Sequence, residues 1–317
     1  MNNQQASDPS IQDYESQLKQ EGAFWGEVAQ NAADTVSPEW RFVRQEPQLA
    51  IFQARYIDQM LAMIRPGWRV LEIGCSSGWL SYEMARLGAQ VDGIDIAESA
   101  IAVAQEYARQ NPPEKGSVHY QVADVNHEPL EANHYDLIVA LGVLHHLAEV
   151  EAVMERVRSA LKPTGIFFVR DVLDTPRPNA LIAGALFMLL PTQMGYVEKF
   201  RHLFRLRGAA ASHMVASIEA KGLSPFEGYG RPQQGDQVIK RMFKINRIVY
   251  ESAFVGYITA QLNLPKRVLI SFGRMLATVD RLLVRTHLLQ GLNYIIWASL
   301  EIPDHYEVIT HSGSSQR

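Results

Sequence analysis

Val70-Leu71-Glu72-Ile73-Gly74-Cys75-Ser76-Ser77-Gly78-Trp79-Leu80 decides the fold of this chain. A short apolar run carries a carboxylate near its end, turns through a glycine-containing loop and enters a helical pattern. In a doubly wound α/β domain this strand-loop-helix arrangement brings the backbone close to a nucleotide-like ligand. Gly74 and Gly78 tolerate backbone angles and close approaches that a Cβ hinders, and Glu72 is placed to meet a polar group of the ligand. The spacing is E-x-G-x-x-x-G. A dinucleotide fingerprint needs G-x-G-x-x-G around a pyrophosphate, so a nucleotide-dependent oxidoreductase is disfavoured.

Segments further along agree with this start. Residues 90–96 read as a second strand whose Asp95 stands 21 positions after Gly74, where a carboxylate can hold a ribose diol. Residues 118–125 read as a third strand with Asp124 towards its C-terminal end. A fourth, 135–140, runs into Leu141-Gly142-Val143-Leu144-His145-His146-Leu147. Leu161-Lys162-Pro163-Thr164-Gly165 reads as the turn before a fifth strand over 166–171. A single carboxylate at a strand end is commonly a helix N-cap. Glu72, Asp95 and Asp124 at the same edge of successive strands instead mark the edge where open α/β sheets bind ligands.

These ordered motifs, over residues 45–173 with a return near the C-terminus, resemble the class I S-adenosylmethionine-dependent methyltransferases. Ser76 departs from that family's pattern, standing where a middle glycine is more usual. The resemblance implies a Rossmann-like, doubly wound, mostly parallel seven-stranded sheet, completed by strands near 242–249 and 293–300 with the last antiparallel. It implies S-adenosylmethionine as cofactor and S-adenosylhomocysteine as product. Glu72, Gly74, Cys75, Gly78, Asp95, Ile96, Asp124, Val125 and Leu141 are the expected cofactor contacts, with Asp124 accepting from the adenine amino group and Val125 helping to sandwich the ring. The implied activity is methyl transfer to a small molecule by in-line displacement. The alternative is a module that binds the cofactor and is catalytically silent.

The sulfonium methyl is already activated, so alignment in a water-poor pocket is much of the protein's task and no metal is expected. A base is needed only where the acceptor must lose a proton. His145 and His146, after the fourth strand, are the candidates, since an unperturbed histidine titrates near neutrality. Packing or helix capping is the competing reading for both. Asp171, Glu227 and Tyr229 are weaker candidates, and Phe24, Trp25 and Arg41 are expected either to close over the ligands or simply to pack.

At 317 residues, 47% hydrophobic and net charge -4, the chain can bury a sizeable core and shows no overall bias towards nucleic acid. The single cysteine, Cys75, forms no intrachain disulfide and fits a cytoplasmic setting. No apolar stretch reaches the length of a spanning helix, the nearest being 180–190. Ala140-Leu141-Gly142-Val143 stands where base-modifying amino methyltransferases carry an Asn/Asp-Pro-Pro-aromatic clamp, which ranks DNA down as acceptor.

The expected organisation is a tail and N-terminal helical extension over 1–44, with a helix at 13–30, then the cofactor-binding core over 45–173. A helical cap insertion follows over 174–245, the core sheet is completed over 246–303, and a tail ends the chain at 304–317. A helix opened by Pro47 presents Leu49, Phe52, Tyr56, Met60 and Ile64 as its apolar stripe. The cap carries ten Lys and Arg against five Asp and Glu. Within it, residues 199–205 form a basic amphipathic pattern with Phe200, Leu203 and Phe204 on one face, read as packing on the core, with membrane contact as the alternative. This composition points to an amphiphilic or anionic small-molecule acceptor. Val268, Phe272, Met275, Val279 and Leu282 recur at helical spacing and read as a core-facing stripe.

Overall fold

Four consecutive residues of the fourth strand, Leu137, Ile138, Val139 and Ala140, are completely buried. A strand that is apolar at every position cannot face water on either side, so it belongs at the centre of a sheet covered on both faces. The computed structural model describes residues 9–33, 39–205 and 232–300. It places this strand mid-sheet. The strands are β1 (Arg69–Ile73), β2 (Gln90–Asp95), β3 (Ser117–Val122), β4 (Tyr135–Leu141), β5 (Leu161–Val172), β6 (Lys244–Glu251) and β7 (Asn293–Ser299). Their spatial order is β3-β2-β1-β4-β5-β7-β6. β1 to β5 are parallel, and β7 runs antiparallel between β5 and β6. The order reverses between β1 and β4, and the crevice there is where a doubly wound sheet accepts ligands.

Alternate side chains of these strands feed two cores. On one face Leu71, Ile73, Ile138, Ala140, Phe167 and Val169 meet Val153, Met154 and Val157 of α6 (Val150–Ala160). On the other, Val70, Leu137, Val139, Ile166 and Phe168 meet Tyr56, Ile57 and Met60 of α3 (Ala54–Leu61) and Leu80 and Met84 of α4 (Trp79–Arg86). The helix expected from Pro47 onward contains a π-helical turn at Leu49–Gln53 before α3, yet keeps Phe52, Tyr56 and Met60 buried. The Lys162-Pro163-Thr164-Gly165 segment does not precede β5 as a separate turn. Leu161 already pairs with Tyr135, and the register shifts before Leu137 meets Ile166, so the segment is an irregularity within the strand.

Two further α-helices of the N-terminal half are α1 (Pro9–Ala33) and α2 (Trp40–Val43), and α5 (Glu98–Gln110) follows β2. α1 packs on the start of α5 through small residues. A Cβ at Gly22 would lie 3.1 Å from the Ile96 carbonyl oxygen, and Ala29 is buried against Ala97 and Ala100. In the second half, α7 (Arg177–Leu189), α10 (Val255–Gln261) and α11 (Lys266–Arg285) share an apolar cluster that includes Phe187, Phe254, Ile258 and Leu269. α8 (Tyr196–Arg205) precedes the undescribed segment, and α9 (Pro232–Met242) follows it, burying Val238 and Ile239 in the first core. Among the described residues no helix is long and apolar enough to cross a membrane.

Two expectations fail here. Val268, Met275, Val279 and Leu282 are exposed, and α11 instead turns Leu269, Gly273, Ala277, Asp280 and Val284 inward. In α8 Phe200 is exposed while Lys199 is fully buried. The Lys199 ammonium donates to the carbonyls of Phe187 (2.7 Å) and Leu190 (2.6 Å), satisfying acceptors at the C-terminal end of α7. Leu203 and Phe204 lie outside the residues whose side chains are described, as do Glu227, Tyr229 and the C-terminal tail.

Asp280 explains the inverted face of α11. Its carboxylate accepts the backbone N–H groups of Ala253 (2.9 Å), Phe254 (2.9 Å) and Val255 (3.0 Å), the donors left open at the start of α10. Asp280→Ala strands these buried donors and is expected to lower stability by about 2–4 kcal/mol in denaturant unfolding.

Candidate functional site

Left-handed backbone shapes the loop between β1 and α4: φ is 73° at Gly74, 48° at Ser76 and 76° at Gly78. At Gly74 a Cβ would sit 2.8 Å from the Val143 side chain, so glycine is what lets this loop approach the end of β4. At Gly78 a Cβ would lie 2.5 Å from the Tyr120 hydroxyl, which donates to the Gly78 carbonyl at 2.8 Å. Ser76 adopts a conformation that glycine takes without penalty, which accounts for the glycine more usual there.

The loop is held by Asp95 at the end of β2. Its Oδ2 accepts the Ser76 N–H and its Oδ1 the Ala97 N–H, each at 2.8 Å. Burial pushes the Asp95 carboxyl up, and backbone N–H groups oppose that shift. Asp124 accepts the Tyr14 hydroxyl at 2.6 Å and lies 2.8 Å from His127 Nδ1. Its Oδ1 takes both the backbone and side-chain N–H of Asn126. Burial works to raise this carboxyl too, but these donors together hold it below the ordinary range.

A cavity of about 200 Å³ lies at this edge of the sheet. Gly74, Asp95, Ile96, Asp124, Val125 and Leu141 line it, together with Ser76, Asn126, Gly142, Val143 and His146. α1 forms a further wall, through Leu18, Glu21, Trp25 and Val28. Phe24 stacks edge-on against Trp25, and Arg41 pairs with Glu39 at the surface. Three expected contacts sit behind the wall. Glu72 is buried and accepts from the Ser81 hydroxyl, Cys75 packs with Ile101, Ala104 and Tyr120, and Gly78 makes room for Tyr120.

The two histidines occupy a 3₁₀ turn, Leu144–His146, that a buried carboxylate fixes. Asp171 accepts the Leu144 N–H at 2.7 Å through Oδ2, and its Oδ1 lies 2.6 Å from His145 Nδ1. Burial would raise the Asp171 carboxyl, but His145, the Val172 N–H and the Arg170 charge hold it below the usual range. An ionised carboxylate only accepts, so Nδ1 of His145 carries the hydrogen and Nε2 is the basic nitrogen. His146 faces the cavity, 3.1 Å from the Glu21 carboxylate, which also accepts the Trp25 indole N–H at 2.7 Å. The two imidazole centroids are 3.9 Å apart.

Glu21 is the partner that sequence reasoning missed. The available signal was Gly22-x-x-x-Gly26-x-x-Ala29, a small-residue face that seats α1 against α5 and carries Glu21 to the histidines.

Farther out, Arg170 of β5 donates through Nη2 to Asn293 Oδ1 at 2.5 Å, while its shielded Nε has no hydrogen-bond partner among the described residues. A Cβ at Gly142, on the cavity wall, would lie 3.7 Å from Arg170 Nη1. Beyond the end of β5 a second cavity of about 710 Å³ is lined by Leu173, Thr175, Asp236, Tyr250 and Gln290 among others.

Burial pushes the Glu72 carboxyl up to about 8, against the hydrogen bond from Ser81. The folded protein then holds this proton across a window, from about 4.5 to about 8, in which an unfolded glutamate has released it. Stability therefore falls as pH rises through that window. Glu72→Gln is expected to remove this part of the pH dependence, read from urea midpoints at about pH 5 and about pH 8.

Residues 71–169 match the methyltransferase domain family. The ubiquinone biosynthesis O-methyltransferase of Bordetella avium is 30% identical over 171 residues, covering 53% of this chain and 69% of that protein. The protein of the same name from Xanthomonas campestris pv. campestris is 34% identical over 163 residues, covering 49% and 66%. That from Haemophilus ducreyi is 32% identical over 142 residues, covering 42% and 59%. The chain thus spans 59% to 66% of the length of these last two relatives. In fold it resembles a geranyl diphosphate methyltransferase solved in complex with SAM, with a TM-score of 0.50 at 14% identity over 80% of this chain and 87% of that one. The sequence likeness to the Bordetella avium protein, together with the strand order of this sheet, shows that the chain belongs to the class I S-adenosylmethionine-dependent methyltransferases.

Proposed function

We propose that this chain transfers a methyl group from S-adenosylmethionine to a hydroxyl oxygen of a small-molecule acceptor. The observation that carries the reading is the meeting, at one cavity, of Asp95, Asp124 and His146 with the close-approaching Gly74. The donor set fits the cofactor, since carboxylates suit ribose hydroxyls and an adenine amino group, while Ile96 and Val125 offer apolar surface to a ring. When bound, the cofactor supplies a methyl group activated by its sulfonium.

The protein's residues then have distinct tasks. Asp95 would hold ribose hydroxyls while it ties the loop to α5, and Asp124 would accept from the adenine in exchange for one of its present donors. Gly74, Ile96, Val125 and Leu141 shape the slot, with Glu72, Cys75 and Gly78 supporting it from behind. His146 takes the proton of the acceptor hydroxyl, and Glu21 stabilises the imidazolium that forms. His145 and Asp171 are positioning residues that fix the turn. The names of the curated relatives support oxygen as the methylated atom. The basic composition of residues 174–245 supports an acceptor that carries an anionic group. The silent-module alternative predicts cofactor binding without turnover on any acceptor.

Asp95→Ala should weaken S-adenosylhomocysteine binding by about 1.5–3 kcal/mol in calorimetric titration, as expected for hydrogen bonds to a charged group. His146→Ala should keep that binding and lose most methyl transfer, with Asp171→Asn intermediate. Equal turnover in wild type and His146→Ala would remove the base assignment.

A further inference from the structure

The face that α11 turns to solvent is neither polar nor random. Val268, Met275, Val279 and Leu282 are 51%, 56%, 50% and 61% exposed, and Leu288 just beyond the helix is 69% exposed. Their spacing places the first four on one stripe of the helix. Arg267, Arg274 and Arg281 each immediately precede Val268, Met275 and Leu282, at intervals of seven residues. A helix advances about 100° per residue, so the arginines form a second row running beside the apolar stripe. Lys266 and Arg285 bring the cations of the helix to five, and its one acid, Asp280, is buried on the opposite side capping α10. Among these cations Lys266 pairs with Glu46 of the adjoining segment, Arg274 donates to the Ala50 carbonyl at 3.2 Å, and Arg281 is half-buried beside Arg55 and Glu251, which leaves Arg267 and Arg285 as the most open of the five.

We propose that this face of α11 docks on an anionic lipid surface, with the apolar stripe entering the acyl boundary and the arginine row meeting lipid phosphates. Twenty residues of helix reach about 30 Å, so the stripe can lie flat along a membrane without crossing it. Arginine stems bury against apolar surface while their guanidinium groups stay at phosphate depth. Charge decides against a second copy of the chain. Two such helices laid together would oppose exposed arginines to exposed arginines, with no exposed acid on either helix to relieve them. Leu181 and Leu189 of α7, in the same helical layer, are also exposed, at 62% and 73%. The surface is independent of the methyl-transfer reading, because none of its residues lines the cavity at the switch point.

The test is flotation of the purified full-length chain with vesicles of phosphatidylcholine alone and vesicles enriched in phosphatidylglycerol. Binding should be at least about tenfold tighter to the anionic vesicles and weaken with salt. Met275→Asp with Leu282→Asp should abolish it. Arg267→Gln with Arg285→Gln should weaken it several-fold and flatten its salt dependence. Both double variants should keep the thermal unfolding midpoint and the S-adenosylhomocysteine affinity of the wild type, whatever the enzyme's turnover. Equal flotation of wild type and the Met275/Leu282 variant overturns the proposal, as does failure of the wild type to float with either vesicle. A wild-type dimer in sedimentation velocity that the aspartate variant converts to monomer, without vesicle binding, assigns the face to a second copy instead and also overturns it. Tight binding of poly-uridylate that needs the arginines but not the apolar stripe does the same.

Discussion

The hydrogen bonds that Asp95 accepts from Ser76 and Ala97 close the cavity's floor. One carboxylate at the end of β2 fixes the loop after β1 and the start of α5 relative to each other. Everything else at this edge is arranged around that junction. Gly74 can approach Val143 only because the loop is held inward, and α1 finds its seat on α5 only because the start of that helix is held in place. Partial burial of a charged group is normally costly, and here oriented backbone donors offset the cost.

A second buried carboxylate organises the other half of the site. Asp171 is inaccessible, yet its charge is matched by two backbone N–H groups and by His145. The histidine turn therefore rests on β5 as well as following β4. Fixing one ring nitrogen of His145 sets its tautomer, and the neighbouring His146 is set from the opposite side by Glu21 of α1. The two imidazoles are thus positioned by elements far apart in sequence, one from the sheet and one from the N-terminal helix. Methyl transfer depends on alignment, and such cross-bracing is a physical means to provide it.

The helical layer built from α7, α10 and α11 serves a different end. Its inner contacts depend on polar groups used as caps: Asp280 at the start of α10 and Lys199 at the end of α7. Satisfying buried backbone groups takes precedence over keeping charged side chains in water, because an unmet donor or acceptor in the interior costs more than one good hydrogen bond returns. Once Asp280 faces inward, Val279 and Leu282 must face outward. An apolar exterior follows from a polar interior.

The sequence by itself determined the sheet and which carboxylates gather at one edge of it. The apolar run 137–140, short and bounded by turn residues, is legible as a central strand, and Asp95 and Asp124 are legible because a strand end places a side chain without reference to distant residues. Tertiary structure decided what lies opposite those residues. Nothing local to Glu72 says that Ser81 will take its carboxylate, and nothing local to His146 says that Glu21 will arrive across the cavity. Periodicity announces that a helix has an apolar stripe, but not which stripe meets the core when two compete. In α11 a single buried aspartate, bonded to the start of another helix, settled that choice. Short-range pattern fixes elements because backbone geometry repeats locally. Pairing across the chain depends on packing that no local repeat encodes.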